Sequence, residues 1–358
     1  MKSFAARVAA GANIATVVMM LLVGYSDRIN PESHPLLANL GLLFPLFLAL
    51  NIAFLMFWLI VAKRWAMVSF VGLIVAYSPV RLYAPLNVPT DAPEGSMKVL
   101  SYNVFSFSTW KDLDAGSEIL GYILDQDADI VCLQEADAVG RKREIINSTM
   151  ATRYPYSQLD GSLRPSGGDA IEVHSKFPIL SSEHISQASD TYNAMAYKLL
   201  TGKSDTTLLV VCHLETTGLS PEDRTRFKSM MKGKLQTDTA RIETSRLWHK
   251  LGEAAARRAP QADAVAKYVE KSGMKSVILT GDFNDSPISY THRRISTTLN
   301  DCYTATANGP GISYHYNAFY VRIDNIMCSE IWVPYNCHVD NSIDASDHYP
   351  IVCSLKRK

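Results

Sequence analysis

Six short apolar runs, each meeting a polar or ionisable residue at one end, constrain the fold of residues 97–358 more than any other feature of this chain. They occupy residues 99–103, 130–135, 208–214, 277–284, 322–327 and 346–353. Runs of four to eight residues rich in Val, Ile and Leu between turn signals read as buried strands. In a stacked-sheet protein, polar groups at strand ends can converge on one rim, where a rigid scaffold holds them. The set so defined is Asn103, Glu135, His213, Asp282, Asn284, Asp324, Asp347 and His348. Helical stretches lie between the runs. Residues 117–126 place Ile119, Leu120, Ile123 and Leu124 on one side, and Ala262, Val265, Ala266 and Val269 do the same after Pro260, a favoured first helical residue. Strands alternating with helices, with no internal repeat, predict an α/β or α+β layered architecture.

These residue types suit attack of water on a phosphorus ester. Such a site must neutralise the phosphoryl oxygens, generate a nucleophile and stabilise the leaving oxygen. Asn103, Glu135 and Asp347 offer hard oxygen donors, which suit Mg²⁺ or Mn²⁺. Asp282 and Asn284 share one tight turn and point the same way, so an anion and an amide would meet the same reactant. An imidazole at His213 or His348 can carry a proton or a positive charge at working pH. Each residue also has a structural reading. Glu135 would serve as a strand-end acid capping a helix, Asp282 and Asn284 as an Asx-turn, and Asp347 and His348 as a solvated strand start.

The run ends spell SYNV around Asn103, LQE at Glu135, HL at His213, GDFN at Asp282 and Asn284, RID at Asp324, and SDH at Asp347 and His348. In these motifs and in their order the chain resembles the endonuclease/exonuclease/phosphatase family of deoxyribonuclease-like phosphoesterases. The resemblance implies a four-layer α/β sandwich, two mixed β-sheets face to face with helices outside. It also implies a metal-dependent phosphoric ester hydrolase in which Asn103, Glu135 and Asp347 hold Mg²⁺ or Mn²⁺. In that pattern Asp282 orients or deprotonates the attacking water, Asn284 contacts the phosphoryl group, and Asp324 orients His348. Two departures stand out. The family's aromatic after RID is replaced by Asn325, and residues 168–179 carry two more residues than the GxAIxSKxPI pattern.

Residues 1–89 differ from the rest. Residues 8–25, 35–62 and 65–80 contain no charged side chain, and a spanning helix needs roughly 20 apolar residues. The first run is adequate, the second generous and the third marginal; a re-entrant third segment is the alternative. Lys2 and Arg7 precede the first run and Lys63-Arg64 precede the third. Basic residues favour the cytoplasmic side, so three spans would leave the C-terminal part outside the cytoplasm. The predicted organisation is a transmembrane region at 1–85, a linker at 86–96 with Pro and Gly, and a catalytic domain at 97–358.

Once the chain is divided, its balanced charge resolves into 29 basic and 33 acidic side chains beyond residue 89. That net −4 lacks the basic footprint of a protein holding nucleic acid through many phosphates. Arg224, Arg226, Lys228, Lys232 and Lys234 form either a local anion patch or a solvated helix face. Cys132, Cys212, Cys328 and Cys353 sit inside apolar strands as small hydrophobes. Cys302 and Cys337 are left as either a disulfide or two more core thiols. Three functions follow: a membrane-anchored phosphodiesterase or nuclease, the same fold acting on a phosphomonoester, phospholipid or inositol phosphate, or an inactive binding module. Pocket walls at 159–169 and 216–234 would separate the first two.

Overall fold

The computed structural model describes residues 2–160, 170–185, 194–232, 234 and 237–358. The first wall segment lies almost wholly outside these, as do Gly168 and Asp169 of the second departure. The chain opens with helices α1 (Lys2–Gly24), α2 (Pro35–Ala38), α3 (Phe44–Val61), α4 (Lys63–Val75) and α5 (Tyr77–Tyr83). It continues with β1 (Met97–Asn103), α6 (Glu118–Gln126), β2 (Ile130–Gln134), α7 (Gly140–Ala151), β3 (Tyr156–Asp160), β4 (Ile171–Ser175), β5 (Ile179–His184) and β6 (Ala194–Leu200). Then come β7 (Thr206–His213), α8 (Pro221–Met231), α9 (Thr237–Ser272), β8 (Val277–Asp282), α10 (Tyr290–Ile295), β9 (Asn300–Asp301), α11 (Cys302–Thr306), β10 (Asp324–Cys328), β11 (Trp332–Val339) and β12 (Ile351–Arg357).

The strands form two six-stranded mixed sheets, in the orders β11-β12-β1-β2-β4-β3 and β5-β6-β7-β8-β10-β9. Successive side chains on a strand point to opposite faces, and both faces are covered here. Val99, Ile130, Cys132 and Val173 meet Tyr197, Leu209, Val211 and Ile278 between the sheets. Their neighbours Leu100, Tyr102 and Val131 turn outward onto Ile119 and Ile123 of α6 and Ile146 of α7. On the far side, Leu208, Val210 and Leu279 pack on Ala262, Val265 and Val269 of α9. The result is the predicted α/β/β/α sandwich, and burial on both faces is why the strands read as continuous apolar runs.

One expectation needs correction. Pro260 does not begin a helix; α9 runs through it for 36 residues. Lacking an N–H, Pro260 cannot return the helical bond to Ala256, yet the helix stays continuous, with the half after it packed on the second sheet and the half before it on α2 and α8. Of the two readings left open for Cys302 and Cys337, core thiols hold: all six cysteines are free and buried. Cys302 Sγ instead lies 3.6 Å from Cys328 Sγ within the inter-sheet core.

Two N-terminal segments, Phe4–Arg28 and Pro35–Val61, are long and apolar enough to cross a membrane, and α4 with α5 forms a third that bends by 68°. Inside the bundle, Asn13 donates to Ser69 Oγ at 2.9 Å and accepts from Trp58 Nε1 at 3.1 Å, the kind of interhelical polar contact that joins apolar helices. Residues 26–43 do not hang free. Trp248 Nε1 of α9 donates to the Leu36 carbonyl at 3.0 Å, Asn39 Nδ2 donates to the Trp248 carbonyl at 3.3 Å, and Arg293 pairs with Asp27 at 3.6 Å. A Cβ on Gly41 would stand 2.0 Å from the Ile288 carbonyl oxygen, so only glycine allows this approach. The stretch after α5 is likewise pinned, with Asn87 Nδ2 donating to the Ala307 carbonyl at 2.6 Å.

Candidate active site

All eight residues singled out in the sequence meet at one rim of the sandwich, and the topology explains how. β1 pairs parallel with β2, and β7 with β8, so all four end on the same side. β12 runs antiparallel to β1 and β10 antiparallel to β8, so these two begin there. Asn103 closes β1, Glu135 follows β2, His213 closes β7, Asp282 closes β8, Asp324 opens β10 directly opposite Asp282, and Asp347 and His348 precede β12.

Hydrogen bonds join the two sheets at this rim. Asn103 Nδ2 donates to Glu135 Oε1 at 3.1 Å and to Asp282 Oδ2 at 3.3 Å. His213 Nε2 stands 3.6 Å from Glu135 Oε1. His348 Nδ1 meets Asp324 Oδ2 at 2.9 Å, and its Nε2 points to Asp282 Oδ2 at 3.7 Å. Asp282, Asp324 and His348 are therefore a tight buried group whose ligand atoms lie within 4.8 Å of one another. Asp282 Oδ1 accepts the Asn284 backbone N–H at 2.7 Å, while Asn284 Nδ2 donates to the Leu214 carbonyl at 3.0 Å. The turn therefore contains Asx-type bonding and still leaves both side chains on the pocket wall. It also needs Gly281, which adopts φ +125°; a Cβ there would lie 2.0 Å from the Cys212 carbonyl oxygen.

Burial sets the protonation of the rim. It lifts the Asp282 carboxyl to about 6, with Asp324 adding to the rise and His348 and His213 opposing it. Burial alone would lower the His348 imidazole, but Asp324 and Asp282 outweigh it and raise it to about 10. His348 is thus a cation between two acids at neutral pH. Burial also raises the Glu135 carboxyl, against the Asn103 hydrogen bond and the charge of His348. Glu135 holds a left-handed backbone at φ +51°, uncommon for a non-glycine residue and characteristic of functional sites.

The donor set fits a hard divalent cation. Among the described residues, Asp347 Oδ1 and Asp324 Oδ1 are buried without a hydrogen-bond partner. Glu135, a fifth exposed at its side chain, faces the open pocket beside Asp347. Crowded acids short of donors favour a cation, and oxygen-only ligands favour Mg²⁺ or Mn²⁺ over softer metals. Asn103 Oδ1 already accepts the Phe105 N–H at 3.1 Å and keeps one lone pair for a further partner.

Several pocket residues carried no signal in the sequence. Tyr314 packs edge-on to His348 at 5.0 Å between ring centres, and its hydroxyl accepts from Arg224 Nη1 at 2.6 Å. Phe105, Asn39 and Leu42 line the same pocket. The basic stretch before 234 is split: Arg224 reaches Tyr314, Arg226 pairs with Glu243, and Lys228 lies in the last turn of α8. Asp285 has a structural role, bonded to Arg258 and to Thr291 Oγ1. His174 and His292 are buried beside Glu172 and Asp301, each at 3.2 Å. Asn325, in place of the family's aromatic, donates to the Ile323 carbonyl at 2.9 Å inside the core.

A two-sheet sandwich with an acid, amide and imidazole rim defines a class of phosphoesterases, and sequence comparison gives the family. The profile described as "Endonuclease/Exonuclease/phosphatase family" matches residues 100–348, and the chain belongs to that family. Residues 6–83 match a separate profile described as a domain of unknown function. No curated protein matches. Among solved structures, the human Nocturnin catalytic domain superposes with a TM-score of 0.52 at 18% identity, covering 75% of this chain and 96% of that one. TDP2 of D. rerio, complexed with a single-strand DNA product, gives 0.51 at 15% identity, over 74% and 100%. NExo, a 3′ phosphatase from Neisseria bound to a product DNA hairpin, gives 0.52 at 14%, over 73% and 99%. At such identities the likeness is one of fold.

Proposed function

We propose that this protein is a membrane-anchored, Mg²⁺- or Mn²⁺-dependent hydrolase that cleaves phosphate esters, phosphodiesters foremost, by attack of water on phosphorus. The observation that carries the reading is the Asn103–Asp282–His348–Asp324 chain of contacts beside Glu135, in one open pocket. The organisation we propose is helices over 1–85, a linker over 86–96 and the catalytic domain over 97–358.

Glu135, Asp347 and Asn103 would hold the cation, which when bound neutralises phosphoryl charge. The remaining steps belong to the side chains. Asp282, ionised at neutral pH but close enough to its pKa to take a proton, orients the attacking water and receives its proton. Asn103 fixes that carboxylate through Nδ2. Asn284 presents its amide to a phosphoryl oxygen. His348, kept charged by Asp324, and His213 offset the negative charge that grows on the phosphorane-like transition state.

The test is a hydrolysis panel of DNA, RNA, sphingomyelin, inositol phosphates and a chromogenic diester, each with and without Mg²⁺. Hydrolysis of at least one substrate, abolished by EDTA and restored by Mg²⁺ or Mn²⁺, is expected. Full activity after exhaustive chelation would overturn the assignment. A second reading, hydrolysis of a phosphate ester presented by a lipid bilayer, is favoured by Asn39 and Leu42. Both lie near the start of the second apolar segment and both line the catalytic pocket.

A further inference from the structure

Beside the catalytic pocket lies a second cavity of about 420 Å³, within the ~300–1,000 Å³ range of ligand sites. Its walls come from two sources. Gly41, Leu43 and Pro45 belong to the helical region; Phe227, Met230 and Trp248 belong to α8 and α9. Phe319 stacks on Phe227 with ring centres 4.2 Å apart and closes one side. The cavity reaches Pro45 at the start of α3 and Tyr83 at the end of α5, the end of the helix bundle nearest the catalytic sheets. At the other end, Leu42, Leu219, Leu251, Phe319 and Val321 line both this cavity and the pocket holding Glu135, Asp282 and His348.

We infer that the cavity seats the hydrocarbon tail of an amphiphilic phosphate ester, drawn from the bilayer at the end of the bundle with its phosphate laid on the catalytic rim. This deepens the proposed phosphoesterase function and rests on it. Three observations fix the occupant. The lining is almost wholly apolar, so water gains little there and a tail gains the full transfer from solvent. One end reaches Pro45 and Tyr83, where α3 begins and the bent α4–α5 segment ends. The other shares its wall with charged phosphate-handling chemistry. A polar substrate would use the second end and leave the first unfilled, and a peptide would leave its backbone groups unsatisfied against such walls.

The test uses the full chain in nanodiscs and p-nitrophenyl phosphodiesters whose second ester is methyl or dodecyl. Burying successive methylenes should favour the dodecyl ester in kcat/KM by at least ~10-fold. Thr244→Trp would project an indole into the cavity from α9, away from the catalytic rim. It should abolish that preference while leaving methyl ester hydrolysis unchanged, whereas Thr244→Ser should keep both. A preference that survives Thr244→Trp would arise from partition into the disc and would overturn the inference. Equal rates for both esters in the unmodified protein would overturn it too, while the phosphoesterase reading stood.

A second readout is independent of turnover. A dodecyl phosphate with a terminal diazirine, photolysed on the protein, should label peptides containing Leu247, Trp248 or Phe319. Labelling confined to residues 46–75, none of which lines the cavity, would place the tail in the bilayer alone and reject the inference. Failure to hydrolyse either ester despite cavity labelling would reject the proposed function and leave a lipid-binding site.

Discussion

At the scale of the residue, the rim depends on a few contacts whose loss has separable effects. Glu135→Gln nearly keeps the shape and removes the charge, so the apparent Mg²⁺ requirement should rise and the rate fall together in a metal titration. His348→Ala and Asp282→Asn should each lower kcat by ~10²-fold or more, the scale of a lost proton-transfer or electrostatic group. His348 and Asp282 sit at strand ends rather than between the sheets, so the melting temperature should move little. Activity lost only through unfolding would leave those roles unsupported. Residue type and order were enough to pick the eight rim positions, because each follows or precedes an apolar run. Tyr314 and Asn39 were invisible. Each reaches the pocket from a segment remote in sequence, and nothing local marks a tyrosine that will pack on an imidazole.

At the scale of the element, two contacts hold the pocket wall. Asp223 is buried in the first turn of α8. Burial would raise its carboxyl, but Lys250, the Ser220 backbone N–H and Arg246 outweigh it and hold it down to about 2. A depressed acid stabilises the fold above its unfolded pKa of roughly 3.9 and loses that contribution as pH falls through the folded value. The melting temperature gap between the unmodified protein and Asp223→Asn should therefore be constant above about pH 5 and shrink between about pH 4 and 2. A gap independent of pH would mean that Asp223 acts as a helix cap alone. The second contact is Gly41 on Ile288. Gly41→Ala should undock residues 26–43 and increase their cleavage in limited proteolysis, with strands β7 and β8 still protected. The six strands that carry the site and the apolar face of α6 were legible from periodicity. Pro260 misled because the rule for proline is local, whereas α9 is held by a face that packs along its length.

At the scale of the whole molecule, α9 and the α11 region of the catalytic domain pack on residues 26–43 and 81–87, which lie at one end of the helix bundle, while Ala62 turns at the other. That arrangement fits an odd number of crossings. With Lys2, Arg7, Lys63 and Arg64 on the cytoplasmic side, a reporter active only outside the cytoplasm should give signal when fused after Lys358 and none after Lys63. Signal from neither fusion would mean that α4 and α5 form a re-entrant segment. The net −4 beyond residue 89 also argues against tight duplex binding. Any cleavage of long duplex DNA should be weak and suppressed well below about 200 mM salt. Efficient cleavage resistant to salt would restore a dedicated nuclease.

The sequence alone determined the six strands that carry the site, the polar residue at each of their ends and the apolar N-terminal segments, because burial on both faces of a strand and a long apolar helix each impose a pattern that can be read within about twenty residues. It did not determine the docking of residues 26–43 on α9 and α10, the split of the basic stretch among three environments, or the cavity between helices and sheets. Those follow from surfaces that meet only after folding, where one glycine facing a carbonyl and two tryptophan hydrogen bonds decide the fit. A cavity is the space between such surfaces, and no single segment encodes its shape.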